Sequence, residues 1–110
     1  MGRSFGVFMG EADLQALEKV RARLARQQLV ATVPSVDAVR HAFVVALSCP
    51  VGKAVLKATA EPGSDASALR LKLSSTDRVN LGKVQKRIGA ETEAHALRYA
   101  VRLALLNGVR

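Results

Sequence analysis

The sequence is short of the residue types on which most small catalytic and metal sites are built. Cys49 is the only cysteine in 110 residues, so no internal disulfide can form, and a lone thiol suits a reducing cytoplasm. The two histidines, His41 and His95, lie far apart, and no Cys/His cluster has zinc spacing. There is no glycine-rich phosphate loop and no paired-carboxylate motif. Asp37, His41 and Cys49 come nearest to a nucleophile or metal constellation, but all three fall on one expected helix. Eight residues of helix set His41 and Cys49 ~12 Å apart at ~1.5 Å per residue, beyond hydrogen-bonding reach. The sequence therefore points away from an enzyme and implies no cofactor and no metal.

Long apolar runs are missing too. None approaches the ~20 residues of a membrane-spanning helix. Phe5, Val7, Phe8 and Met9 lack the extended apolar core and cleavage site of a secretory signal. A cytoplasmic protein with no membrane partner is expected. Yet the chain is not polar enough to be disordered: 49% of its residues are hydrophobic and 24% charged. Acidic residues are scarce, nine against seventeen lysines and arginines, for a net charge of +8. Residues 1–49 carry six basic and four acidic groups, residues 50–67 two of each, and residues 68–110 nine basic and three acidic. The excess thus sits in the second half. A polyanionic partner follows, nucleic acid before anionic membrane.

What the chain does have is a repeat. Ala38–Leu47 reads AVRHAFVVAL and Ala96–Leu105 reads ALRYAVRLAL, with Ala, Arg, Ala, Ala and Leu in register at an offset of 58. Leu17–Leu24, LEKVRARL, resembles Leu81–Ile88, LGKVQKRI, at an offset of 64. The two offsets differ by six, so a duplicated helix pair with one six-residue loop insertion accounts for both matches. Half of such a chain, standing alone, would bury little surface and be marginal. Two copies sharing one core escape that limit.

The elements can be placed in order. Phe5, Val7 and Met9 fall on one side of an extended segment, with Ser4, Gly6 and Phe8 on the other. Gly10–Asp13 starts a helix whose stripe is Leu14, Leu17, Val20 and Leu24. Ala31–Pro34 breaks it. Ser35 or Thr32 can cap a second helix, running to about Ser48 and apolar almost all round, which implies burial. Residues 50–67 form a connector with a turn at Pro62–Asp65; Ala54–Leu56 within it suits a helical turn or an extended run equally. Leu69, Leu71 and Leu73 alternate with Arg70 and Lys72, the two-residue period of a strand with one buried face. Ser74 with Asp77 is close to a capping box. Val79, Leu81, Val84 and Ile88 then point inward, and Gly89 ends the helix. Thr92 caps the last helix, whose buried side is Leu97, Ala100, Val101, Ala104 and Leu105, and Asn107–Gly108 closes it.

Strand, helix, turn, helix, with Leu69–Ser74 leading directly into the first helix, resembles the ribbon-helix-helix family of DNA-binding proteins, the Arc and MetJ type. The resemblance covers residues 68–108 well, and residues 4–48 through the repeat. It implies a mainly α fold with a two-stranded antiparallel β-ribbon: a first copy over residues 1–49, a linker over 50–67 and a second copy over 68–110, together one compact pseudo-dimer. Such double chains are known among repressors and among accessory DNA-binding proteins of conjugative plasmid and T-DNA transfer complexes. The implied partner is double-stranded DNA, with other DNA-processing proteins and higher assemblies on DNA as further expectations. A protein-interaction module such as an antitoxin is the alternative, disfavoured by an expected lack of any tail beyond the last helix.

Pairing the two strands leaves Ser4, Gly6, Phe8, Ala68, Arg70 and Lys72 on the outer face as candidate base readers. A ribbon fits the major groove, where Arg and Lys donate to guanine. Phe8 departs from the polar readers usual in the family. It can pack on a thymine methyl, or a bulge eased by Gly6 can turn it inward. Either way the halves differ, and an asymmetric, non-palindromic site is expected. The family also binds phosphates at the N-termini of its second helices. By position these are Ser35 with Val36, and Thr92, where Glu91 and Glu93 oppose the anion. Arg3 and Arg78 are further phosphate candidates.

Overall fold

Two strands and five helices follow one another as β1 (Arg3–Met9), α1 (Glu11–Gln28), α2 (Ser35–Ser48), α3 (Lys53–Ala58), β2 (Ser67–Leu73), α4 (Ser75–Ile88) and α5 (Glu93–Asn107). They are seen in a computed structural model that describes residues 3–107, with side chains from residue 4 onward. The side chain of Arg3 and the closing Gly108 fall outside the described residues.

β1 and β2 pair antiparallel in continuous register, Phe5 opposite Leu71, Gly6 opposite Arg70, Val7 opposite Leu69 and Phe8 opposite Ala68. Strict alternation decides the faces. Phe5, Val7, Met9, Leu71 and Leu73 are buried, while Ser4, Gly6, Phe8, Ala68, Arg70 and Lys72 are exposed. A lone two-stranded ribbon is not stable in water. This one is held by its inner face, where each fully buried aliphatic or aromatic side chain contributes about 1.5–3 kcal/mol.

α1, α2, α4 and α5 pack against that face and one another, α2 against α5 most closely. Tyr99 and Phe43 are the largest buried side chains. The Tyr99 phenol accepts a hydrogen bond from the Gly52 N–H at 2.9 Å, which removes the cost of burying its oxygen. The radius of gyration, 12.7 Å, is close to the ~13 Å of a single ~100-residue domain. Both halves therefore share one core.

Side chains at matching positions of α1 and α4 fasten these helices to α5 and α2. Asp13 pairs with Arg102 at 3.0 Å, and Asp77 with Arg40 at 2.9 Å. Both aspartates are buried and both cap their own helix, Asp13 through Gly10 N–H and Asp77 through Ser74 N–H. Further along, Arg23 donates to the Leu105 carbonyl at 2.8 Å and Arg87 to the Cys49 carbonyl at 3.0 Å. Asp13 and Asp77, like Arg23 and Arg87, are separated by the same offset of 64.

Four local expectations need correction or completion. Pro34, not Ser35 or Thr32, is the N-cap of α2. Its ring fixes φ at −63°, and its carbonyl accepts from the Asp37 and Ala38 N–H groups, so Ser35 is already inside the helix. Val79 is 57% exposed rather than inward, because it lies two residues from both Asp77 and Leu81, which face the core. Val44 is 61% exposed, on the same face as exposed Arg40 and Ser48 four residues either side, so α2 is not buried all round. The connector chooses helix, α3, between its two open alternatives.

α1 ends where its chemistry suits least. Leu29 takes the left-handed C-cap conformation (φ 57°) that Gly89 takes at the end of α4 (φ 71°).

Candidate nucleic-acid interface

The outer ribbon face is a short two-column array. Its rows are Ser4 with Lys72, Gly6 with Arg70, and Phe8 with Ala68. All six side-chain positions are exposed. Arg70 and Lys72 make no hydrogen bond or ion pair among the described residues, so their donors face solvent. Phe8 is 59% exposed, and the unbroken register leaves no bulge to turn it inward. One end of the array is thus cationic and polar, the other apolar. A cation free to reach a guanine edge and a ring free to meet a thymine methyl are both within the chemistry of major-groove contact.

The flanks of the ribbon are unlike. Beside β1, α5 begins with the Thr92 hydroxyl accepting from the His95 N–H at 3.1 Å, so Thr92 caps its helix as expected. An open cleft of about 660 Å³ lies between β1 and this helix start, and Glu61 and Glu91 line it. α3 is anchored above it. His95 Nε2 sits 2.8 Å from the Leu56 carbonyl. Arg98 donates to the carbonyls of Thr59 (3.0 Å), Ala60 (3.1 Å) and Phe8 (3.1 Å). Burial pushes the Arg98 pKa down, opposed by the fields of Asp13 and Glu61; guanidinium remains a cation at neutral pH regardless.

On the other flank, α2 contacts β2. Ser35 and Val36 form its first turn, half-buried, with no side-chain cap above them. Arg21 holds the preceding loop through the Val33 carbonyl at 2.9 Å and the Thr32 hydroxyl at 3.4 Å. Only Asp37 adds negative charge in that turn, and Arg40 lies 3.3 Å from it. Arg78 is divided between two neighbours: its guanidinium lies 5.1 Å from the Phe5 ring centroid and 3.2 Å from Glu93.

The structure therefore gathers the six base-reading candidates on one face. It sets Ser35, Val36 and Thr92 at two helix starts of different electrostatic character and gives Arg78 a carboxylate partner. Arg98, Arg40, Arg102 and the two capping aspartates carry the internal polar network; Asp13 and Asp77 mark helix starts in the sequence, but the three arginines were not singled out from it. Their signal was present, since Asp13 and Asp77 recur at the offset of 64, and Arg40 and Arg98 at 58.

No group of three or more His, Cys, Asp or Glu side chains among the described residues is placed to hold a metal ion. No described helix is long and apolar enough to cross a membrane. The sequence matches no protein-family model, no curated protein and no solved structure.

Proposed function

We propose that the chain is a tandem ribbon-helix-helix pseudo-dimer that binds double-stranded DNA sequence-specifically, laying the outer face of its β1–β2 ribbon in the major groove. One observation carries the reading: an antiparallel ribbon whose outer face presents unpartnered Arg70 and Lys72 on a chain of net charge +8. The repeated order of strand, helix, helix and the matching fastenings of Asp13 and Asp77 support the internal duplication. Arg70 and Lys72 read guanine edges, Phe8 with Ala68 meets thymine methyls, and the site is non-palindromic. Ser35 and Val36 at the start of α2 offer the less hindered phosphate contact, because Glu61 and Glu91 crowd the α5 start. Arg3 and Arg78 are secondary phosphate contacts.

Repression of transcription and marking of a transfer origin, as an accessory factor of a plasmid or T-DNA transfer complex, are the two settings for such an activity. A site overlapping a promoter identifies the first, and a site beside a nick the second. The test is a gel shift with genomic fragments at graded salt, followed by selection from random duplexes. Specific binding stays ~10³-fold or more tighter than non-specific binding at physiological salt. Equal affinity for selected and random duplexes, or a perfectly palindromic selected site, rejects the reading.

A further inference from the structure

α2 and α4 lie side by side and run in the same direction. Arg40 near the start of α2 is tied to Asp77 near the start of α4 at 2.9 Å, and Cys49 after α2 is tied to Arg87 near the end of α4 at 3.0 Å. Between these fastenings the helices leave an open trough of about 500 Å³ lined by Leu47, Lys83, Lys86 and Arg87. Nine residues from Arg40 to Cys49 set the fastenings ~13 Å apart at ~1.5 Å per residue, and the trough lies toward the Cys49 end. Val44, 61% exposed and one turn before Leu47, extends its apolar side.

The charge around it is one-signed. Residues 38–60 and residues 78–90 contain no aspartate or glutamate. Lys83 and Lys86 have no partner among the described residues, and the Asp77 carboxylate is already engaged by Arg40 and Ser74. Basic helix faces are ordinarily just solvated. Here the lysines border half-buried Leu47, with exposed Val44 one turn away on the same helix, and the trough lacks an intramolecular anion. Lys83 comes eight residues after the start of α4 at Ser75, ~12 Å along the helix from the strand that precedes it. The trough is therefore not part of the ribbon face.

A phosphate backbone would satisfy the lysines but leave the aliphatic wall wet. A peptide satisfies both. We infer that the α2–α4 trough docks an acidic segment of a partner protein, which lays an aliphatic side chain on Val44 and Leu47 and its carboxylates against Lys83, Lys86 and Arg87. This surface is independent of the ribbon, so the chain can hold DNA and a protein at once. The inference rests on the trough alone and survives or fails separately from the DNA reading.

The test is an NMR titration of the full chain with three probes at physiological salt. They are a 14-residue Glu-rich peptide bearing leucines at helical i, i+4 spacing, the same peptide with serine for leucine, and a mixed-sequence duplex. The leucine peptide is expected to shift the Val44 and Leu47 methyls and the Lys83 and Lys86 amides, and to bind at least tenfold more tightly than the serine peptide. Lys83→Glu with Lys86→Glu should weaken it tenfold or more, while duplex binding changes less than twofold. Val44→Ser, on an exposed face and harmless to folding, should weaken the leucine peptide alone. Equal binding of both peptides reduces the trough to bulk charge attraction and overturns the proposal, as does no shift at millimolar peptide. A duplex that shifts the trough as much as the ribbon makes it a nucleic-acid face instead. Self-association of the free chain that the double charge reversal abolishes makes a second copy the occupant.

Discussion

Gly6 lies directly opposite Arg70 at the middle of the ribbon, and the two are separated by 64 positions, the offset that also relates Leu17–Leu24 to Leu81–Ile88. In an antiparallel pair made of two equivalent strands, only the residue on the two-fold axis faces its own counterpart. The register and the helix repeat thus agree on one centre. In the proposed pseudo-dimer that centre holds an arginine on one side and nothing on the other, which is the source of its asymmetry.

Gly6→Arg should fill the empty half. A Cβ added at Gly6 meets no atom within 4 Å, so the substitution should fold with stability within about 0.5 kcal/mol of the parent, as surface changes usually do. DNA affinity should rise, and the selected site should become more nearly palindromic. Each half then carries a cation able to discriminate a base by about 1–3 kcal/mol. A gel shift and a repeated site selection measure both. An unchanged site would mean that this face does not read bases.

Much of this architecture was legible because the periods are clean. The Leu69, Leu71, Leu73 alternation fixed the face of β2, and Ser74 with Asp77 fixed the start of α4. Leu97, Ala100, Val101 and Ala104 are buried as their spacing requires. Illegible features depended on partners distant in sequence. Arg98 looks like any helical arginine until α3 folds over it. Phe8 had two readings until the register excluded a bulge. Val44 sits among apolar residues, yet it lies on the α2 face shared with exposed Arg40 and Ser48, which no other element covers. Pro34 took the cap from Ser35 because a ring-fixed φ and a free carbonyl outweigh a hydroxyl one residue late.

Acid should unfasten α4 from α2 at Asp77. Burial pushes the Asp77 carboxyl upward, but hydrogen bonds from Arg40 and from the Ser74 backbone and side chain outweigh it, leaving the pKa below its usual value. A carboxylate depressed in the folded state stabilises fully above its unfolded pKa of ~3.9, and that stability is lost as pH falls through the lower folded value. At pH 7, Asp77→Asn should cost about 1–2 kcal/mol in lost capping and hydrogen bonding. In urea unfolding at stepped pH, the gap between parent and variant should close below pH ~4. A gap that stays constant down to pH 2 refutes a depressed Asp77.

Leu29 is a site where the chain should be improvable. It holds φ 57° and ψ 42° at the end of α1 and is 92% exposed. Left-handed geometry costs an L-residue about 1–2 kcal/mol, and glycine avoids it while giving back about 0.5–1 kcal/mol in unfolded-chain entropy. Leu29→Gly should therefore stabilise by up to about 1 kcal/mol, a rise of several degrees in Tm for a chain of this size. The same logic reverses at Gly10. An added Cβ there would stand 2.2 Å from the Pro62 carbonyl oxygen, so Gly10→Ala should lower Tm.

Arg98 and Arg40 occupy the same place in the repeat, offset by 58, yet their removal should have unequal consequences. The Arg40 side chain is half-exposed and meets Asp77 across α2 and α4. Its loss leaves the buried Asp77 carboxylate with its Ser74 hydrogen bond, so Arg40→Leu should cost about 1–2 kcal/mol. Arg98 is only 4% exposed and donates to three main-chain carbonyls, two at the end of α3 and one on β1. Leucine there strands acceptors that leave water on folding, at about 1–3 kcal/mol for each one left unsatisfied. Arg98→Leu should cost about 3 kcal/mol or more by urea unfolding. Arg98→Lys should recover only part, since one ammonium cannot reproduce the three-way guanidinium fork. Hydrogen exchange should then accelerate first in α3, whose anchor to α5 is lost, and in the Phe8 region of β1. Equal costs at the two arginines would show that α3 is not held by this clamp.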